Sequence, residues 1–265
     1  MIQMIFSDID GTLINDQLVV TEKTRQSLLR AHKQRCLIVP VSARMPKAIQ
    51  PILDGFLPTF PIISYNGALI QDEQGRKLFS HGMKKEDVLS ICHQVANTSG
   101  VVWNVYSGDS WYSQTRQNSW VLREEEVVGL QSYQAELTEI EQLFEIHKLL
   151  LMGDSEAITE LEKSLTKSYP HLSIAKSFPY YLEIMAAGIQ KGQAVSRLAD
   201  HYGIDLVDTI AFGDNFNDLD MLLAVGQGFV MENGPEAVRQ RVGQTTASHN
   251  HDGIALVINQ YFTDK

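Results

Sequence analysis

Short, unbroken apolar runs alternate with amphipathic stretches over the first eighty or so residues. Ile2–Ser7, Cys36–Val41 and Pro61–Tyr65 are such runs, and together they predict strands of a parallel sheet covered on both faces. Glu22–Gln34, between the first two, reads as a helix with Leu28, Leu29 and Ala31 turned inward. Thr21 is its N-cap, and Glu22 sits in the first turn, where the helix dipole favours an anion. Ala68–Gln71 and Lys77–Ser80, joined across Asp72–Gly75, predict a β-hairpin. The middle of the chain has a different rhythm. Lys84–Thr98 is helical, Val101–Tyr106 and Ser110–Ser113 suit strands turning at Ser107–Asp109, and Thr138–Glu145 suits a short helix. A strand at His147–Met152, a helix at Ser155–Lys167 and a strand pair at Leu172–Lys176 and Tyr180–Met185 follow. Neighbouring strands mixed with helices predict an α+β module on an antiparallel sheet. After Gly188 the first rhythm returns: helix Gln190–His201, strand Thr209–Phe212, helix Asn217–Ala224, strand Gly228–Met231, helix Pro235–Arg241 with proline in its first turn, and a closing segment Gly253–Phe262.

This pattern predicts an α/β core assembled from residues 1–82 and 186–265, interrupted by an α+β domain at 83–185. A length of 265 residues suits one large domain or two smaller ones. With 44% hydrophobic and 20% charged residues, the composition excludes disordered and fibrous classes. The longest apolar runs are far below the ~18 residues that cross a bilayer, and Met1–Phe6 lacks the basic start of a secretory signal. A formal charge of −10 argues against nucleic-acid partners, which need clustered Lys and Arg. Cys36 and Cys92 form neither a disulfide framework nor a metal knuckle, so two buried thiols in a reducing cytoplasm are expected.

Four clusters carry candidate chemistry. In Phe6-Ser7-Asp8-Ile9-Asp10-Gly11-Thr12-Leu13, at the end of the first strand, residues two apart share a face, so Asp8 and Asp10 are expected to converge. The alternative is an Asp-rich cap on a turn. In Ala211-Phe212-Gly213-Asp214-Asn215-Phe216-Asn217-Asp218, more carboxylates follow a buried strand, at the edge where open α/β sheets bind ligands. Helix capping explains one of these residues but not all of them. Asp8, Asp10, Asp214 and Asp218 gathered together would require a divalent cation, and an all-oxygen set points to Mg²⁺. Pro40-Val41-Ser42-Ala43-Arg44 offers a hydroxyl and backbone N–H groups for a phosphate, or Ser42 as a helix N-cap. In Gly188-Ile189-Gln190-Lys191-Gly192, a lysine opens a helix against the macrodipole, so it is either solvated or paired with an anion. Of the insert's aromatics Trp103, Tyr106, Trp111, Tyr112 and Trp120, most are expected in the core of their own domain rather than against a ligand. Glu124–Glu126 reads as a solvated charge run, and His249 and His251 as surface histidines.

In order and spacing, DxDGT, S/T-x-R, Gly-x-x-Lys-Gly and GDxxND resemble the haloacid dehalogenase superfamily, and within it the Cof-type phosphatases with a type IIB cap. Ser64-Tyr65-Asn66-Gly67-Ala68, Tyr181-Leu182-Glu183-Ile184, Met231-Glu232-Asn233-Gly234 and Asp252-Gly253-Ile254-Ala255 add to the likeness, while Ala43 stands where the family usually has glycine. The resemblance implies a Rossmann-like core, an inserted α+β cap and a Mg²⁺-dependent phosphomonoesterase acting on small phosphorylated metabolites, sugar phosphates foremost. It makes Asp8 the nucleophile, forming an aspartyl phosphate, and Asp10 the acid and base. It assigns Mg²⁺ to the Asp8 carboxylate, the Asp10 backbone carbonyl and Asp214. Phosphate is assigned to the Ile9 backbone, Ser42, the Ala43 amide, Lys191 and Asn217, with Thr12, Arg44 and Asp218 in support. The alternatives are a phosphomutase, which returns the phosphoryl group to its substrate, or an idle phosphate-binding regulatory module.

Overall fold

The computed structural model describes residues 1–96 and 98–263. The chain forms two compact units, one from Met1–Ser80 with Gln190–Lys265 and one from His81–Ile189. The insert is thus a little wider at both ends than the 83–185 expected. The first unit opens with β1 (Met4–Ser7), α1 (Glu22–Lys33), β2 (Leu37–Pro40), α2 (Pro46–Leu53), β3 (Ile62–Ser64), β4 (Leu69–Gln71) and β5 (Lys77–Ser80). The insert holds α3 (Lys85–Ala96), β6 (Val101–Ser107), β7 (Ser110–Ser113), α4 (Ser119–Val128), β8 (Tyr133–Gln134) and α5 (Leu137–Ile140). It continues with β9 (Lys148–Gly153), α6 (Ser155–Ser168), β10 (Leu172–Phe178) and β11 (Tyr181–Ala186). The chain then re-enters the first unit with α7 (Lys191–Tyr202), β12 (Thr209–Gly213), α8 (Leu219–Ala224), β13 (Gln227–Met231), α9 (Glu236–Val242), β14 (Thr245–Thr246) and α10 (Gly253–Tyr261).

The main sheet has the order β14-β13-β12-β1-β2, with every neighbour parallel. Its central strand shows why the run is apolar throughout. Ile5 packs with Leu28 and Ala31 of α1, Leu53 of α2 and Ile258 of α10. Met4 and Phe6 pack on the opposite face with Val195 and Leu198 of α7 and Leu222 of α8. Alternate side chains point to opposite faces, so Asp8, two residues after Phe6, starts out on the side that α7 covers.

β3 departs from the sequence expectation. It touches β2 through one parallel bridge, Val41 to Ile63, and forms its ladder with β4 in a separate antiparallel sheet, β3-β4-β5. Tyr65 and Asn66 follow β3 directly in the left-handed region, with φ of 51° and 53°. They turn the chain back at once, which brings β4 alongside.

The insert carries a sheet in the order β10-β11-β9-β6-β7-β8, antiparallel except for β7 with β8. Val88, Ile91 and Val95 of α3 and Ile158 and Leu165 of α6 pack with Trp103, Leu149 and Leu151. Trp103, Tyr106 and Trp111 are buried, Trp103 within this cluster, while Tyr112 and Trp120 are only half-buried. Two expectations fail here. The helix anticipated at Thr138–Glu145 is one turn, Leu137–Ile140, closed by a capping box of Glu136 and Glu139. The run Glu124–Glu126 is not merely a solvated face, because it lies on α4 and two of its acids are paired. Glu125 accepts two hydrogen bonds from Arg116, both at 3.0 Å, and Glu124 accepts one from the Tyr181 hydroxyl at 2.8 Å. The two cysteines are buried free thiols, and burial pushes the Cys36 thiol up to about 12. Among the described residues, no helix is long and apolar enough to cross a membrane.

Candidate active site

The site is built where β1 and β12 end side by side. The ladder runs one step past β1, with the Asp8 N–H donating to the Phe212 carbonyl at 3.0 Å. The chain then coils tightly, the Ile9 carbonyl accepting from the N–H groups of Thr12, Leu13 and Ile14 at 3.3, 3.0 and 3.1 Å. Gly11 makes this turn possible with φ +78°, and a Cβ there would lie 2.8 Å from Asp214 Oδ2. The Thr12 hydroxyl donates to Asp214 Oδ1 at 2.9 Å. The two acid-bearing loops therefore touch directly.

Asp218 has two jobs. Its Oδ2 accepts the Asp214 and Asn215 N–H groups at 3.0 and 2.9 Å, shaping the turn after β12. Its Oδ1 accepts from Lys191 Nζ at 2.6 Å. Gly213 leaves room for this, since a Cβ there would fall 2.5 Å from that of Asp218. Capping thus accounts for one oxygen of Asp218 and leaves the other for the site.

Lys191 is the first residue of α7, and its side chain is 0% exposed. Its ammonium lies 2.6 Å from Asp8 Oδ1 as well as from Asp218, and donates to the Val41 carbonyl at 3.4 Å. Burial alone would lower its pKa, but the charges of Asp8 and Asp218 overcome this and hold it above the usual lysine value. The anionic partner required at that helix end is present, and doubly so. The next residue is held as firmly. The Gly192 N–H donates to Asp220 Oδ2 at 2.7 Å, and a Cβ on Gly192 would meet the Asp220 carbonyl at 2.7 Å. Asp220 escaped the sequence reading because it lies on α8 and caps α7, a relation no local pattern shows.

One carboxylate oxygen from each of Asp8, Asp214 and Asp218 lies within 4.8 Å of the others. Burial first, then the neighbouring charge of Asp218, pushes the Asp8 carboxyl well above its ordinary range, against the pull of Lys191. Burial also raises Asp214, opposed by its bond from Thr12. Three carboxylates face one ammonium, so the cluster keeps an excess of negative charge in a mostly dry place. A hard divalent cation with oxygen ligands fits that donor set, and the bare Gly11 keeps the space beside Asp214 open.

Asp10 is not among the three clustered carboxylates. Its side chain is 54% exposed and accepts from Arg44 Nε at 2.9 Å and Nη2 at 2.6 Å. The guanidinium fork takes both its oxygens. Ser42 is buried and is not a helix cap, since α2 starts at Pro46 with Met45 as N-cap. The Ser42 hydroxyl instead accepts the Arg44 N–H at 3.1 Å. Ala43 is not among the residues of positive φ, so alanine fits where glycine is usual. Ile9 is fully buried and Asn217 is exposed in the turn after β12. His249 is no ordinary surface histidine, being 12% exposed and 2.8 Å from Asp16 through Nε2.

A family profile described as haloacid dehalogenase-like hydrolase matches residues 5–258. A Haemophilus influenzae protein, provisionally named a phosphatase, is 33% identical over 269 residues and 100% of either chain. A Bacillus subtilis protein named 5-amino-6-(5-phospho-D-ribitylamino)uracil phosphatase is 26% identical over 277 residues, covering 96% of each chain. The crystal structure of a haloacid dehalogenase-like hydrolase from Bacteroides thetaiotaomicron matches with TM-score 0.91 at 26% identity, over 99% of this chain and 100% of that one. TM0651 from Thermotoga maritima gives TM-score 0.90 at 28% identity, over 100% and 99%. With its parallel core, inserted mixed-sheet domain and a profile match along almost all its length, this chain belongs to the haloacid dehalogenase-like hydrolases.

Proposed function

We propose that this protein is a Mg²⁺-dependent phosphatase of small phosphorylated metabolites, sugar phosphates foremost, with Asp8 as its nucleophile. The observation that carries the reading is the buried ammonium of Lys191, 2.6 Å from both Asp8 and Asp218. A fully buried lysine is costly unless paired, and here it fixes a carboxylate at the end of the central strand. An Asp8 oxygen forms a bond to phosphorus as the ester P–O bond breaks, and the departing alkoxide takes a proton from Asp10. Water then attacks the aspartyl phosphate while Asp10 takes back a proton, releasing inorganic phosphate and the free Asp8. Arg44, bidentate on Asp10 in the free protein, must release that carboxyl group before it can carry the proton. The Ile9 backbone, Ser42, the Ala43 amide, Lys191 and Asn217 hold the phosphate oxygens, and Asp218 keeps Lys191 in place. The Asp8 and Asp214 carboxylates with the Asp10 carbonyl would hold Mg²⁺, which would offset the repulsion between an anionic ester and an anionic nucleophile.

The choice of sugar and polyol phosphates is supported by the Bacillus subtilis relative, whose name specifies a phosphorylated ribityl compound. Core residues such as these recognise the phosphoryl group, so the remainder of the substrate must be read elsewhere. A panel of phosphorylated metabolites with Mg²⁺, scored by kcat/KM, tests the assignment. Asp8→Asn is expected to abolish phosphate release from p-nitrophenyl phosphate while the protein stays folded, and equal activity of the two proteins would overturn the nucleophile assignment.

A further inference from the structure

Two of the motifs that carry the family likeness, Met231-Glu232-Asn233-Gly234 and Asp252-Gly253-Ile254-Ala255, have no part in the chemistry above, yet their loops reach the acid loops. Asn233 Nδ2 donates to the Gly11 carbonyl at 2.8 Å, and Asn233 Oδ1 accepts the His249 N–H at 3.2 Å. Gly234, its neighbour, has no room for a Cβ, which would lie 2.3 Å from the Asp214 carbonyl. The turn after β13 therefore presses on the Asp214 loop with one residue and grips the Asp10–Thr12 turn with the residue before it. The loop it draws on is itself anchored to the segment leaving that turn. His249 Nε2 meets Asp16 Oδ1 at 2.8 Å, and Asn250 exchanges two hydrogen bonds with Asp16 at 3.1 and 2.9 Å.

We infer that Asn233 is a positioning residue of the phosphatase site, and that its side-chain amide sets the spacing between the Asp8–Thr12 turn and Asp214. The chemistry explains the residue type. One face of the amide must give a hydrogen to a carbonyl while the other accepts one from an N–H. Aspartate lacks the donor, alanine lacks both groups, and glutamine places the amide a methylene too far out. The carbonyl gripped belongs to Gly11, which has no side chain to pack the turn in place. What Asn233 holds is thus the peptide next to Thr12, and Thr12 in turn donates to Asp214.

The inference rests on the phosphatase reading for its kinetic arm and on the apo protein for its other arm. Asn233→Ala and Asn233→Asp are compared with wild type in two measurements. Without divalent ions, amide hydrogen exchange at Thr12, Leu13 and Ile14 is expected to quicken about tenfold or more, while Ile5 and Phe6 in β1 and the melting temperature stay as in wild type. With Mg²⁺, kcat/KM is expected to fall about 10–100-fold and the half-activating Mg²⁺ concentration to rise, the usual scale for groups that orient a ligand set. Unchanged exchange at Thr12–Ile14 would overturn the inference. So would faster exchange across β1 with a lower melting temperature, which is the mark of a merely structural role. If the wild type hydrolyses no phosphomonoester, the phosphatase reading fails and the exchange measurement still decides the role of Asn233.

Discussion

Replacing Lys191 by methionine keeps the reach of the side chain and deletes its charge. The ammonium is 0% exposed, as is the side chain of Asp218, and Asp8 is 9% exposed. Deleting one member of a buried charge cluster leaves the others uncompensated and costs about 3–5 kcal/mol. At about 2–4 °C per kcal/mol for a chain of this size, the melting temperature should fall by about 6–20 °C. The sign of the pH dependence distinguishes this mechanism from a simple packing defect. Without Lys191 nothing opposes the burial and mutual repulsion that already raise Asp8. A carboxyl whose folded pKa exceeds its unfolded value adds stability below the unfolded pKa and loses it as pH rises through the folded one. The deficit of Lys191→Met relative to wild type should therefore shrink between pH 8 and pH 5, followed by circular dichroism melts without divalent ions. A deficit that is independent of pH, or a melting temperature within about 1 °C of wild type at pH 8, would refute the electrostatic account.

Gly11→Ala forces a Cβ to 2.8 Å from Asp214 Oδ2 at a φ of +78°. It is expected to cost about 1–2 kcal/mol of backbone strain and at least tenfold in kcat/KM, read from melts and steady-state kinetics. Chelation by EDTA should suppress phosphate release and added Mg²⁺ restore it, and turnover indifferent to the chelator would remove the metal from the mechanism. Glu125 is held down to about 2 by hydrogen bonds from Arg116, then Ser132, against the effect of burial. Its pairing adds stability above pH ~4.5 that is lost as pH falls towards 2. Discounted for the partly exposed Arg116, the contribution is about 1–2 kcal/mol. Urea unfolding of wild type and Glu125→Gln should differ by that amount at pH 7 and converge near pH 2.

The parallel core and the identity of the acid cluster were legible because both follow from local pattern. Strands buried on two faces must be apolar throughout, and Asp8, Asp214 and Asp218 stand in compact motifs beside such strands. The electrostatic conflict at its helix end left Lys191 either solvated or paired, and only the family resemblance pointed to the site. What escaped was set by partners distant in sequence. Nothing near Asp10 announces that Arg44 pairs with both its oxygens. Nothing near Glu125 announces that Arg116 and Ser132 withdraw it from solvent, and α4 went unseen because its charged run looked like surface. Asp220 and Asn233 act through the ends of elements other than their own. The fate of β3 turned on two left-handed residues, Tyr65 and Asn66, of which tyrosine gives no hint of that conformation.

The order in which this chain leaves the ribosome has a bearing on when the enzyme comes alive. Strand β1 pairs with β12 from Met4 to Thr209, and Thr12 waits 202 positions for Asp214. At about 5–20 residues per second, translation leaves the nascent β1 without that neighbour for about 10–40 s. The apolar edge that later seats β12 is open throughout this interval, while the strands of the insert's sheet pair only with one another. A site that needs both Asp8 and Asp214 is therefore completed late in synthesis, and the danger of aggregation falls on β1, made long before its partner.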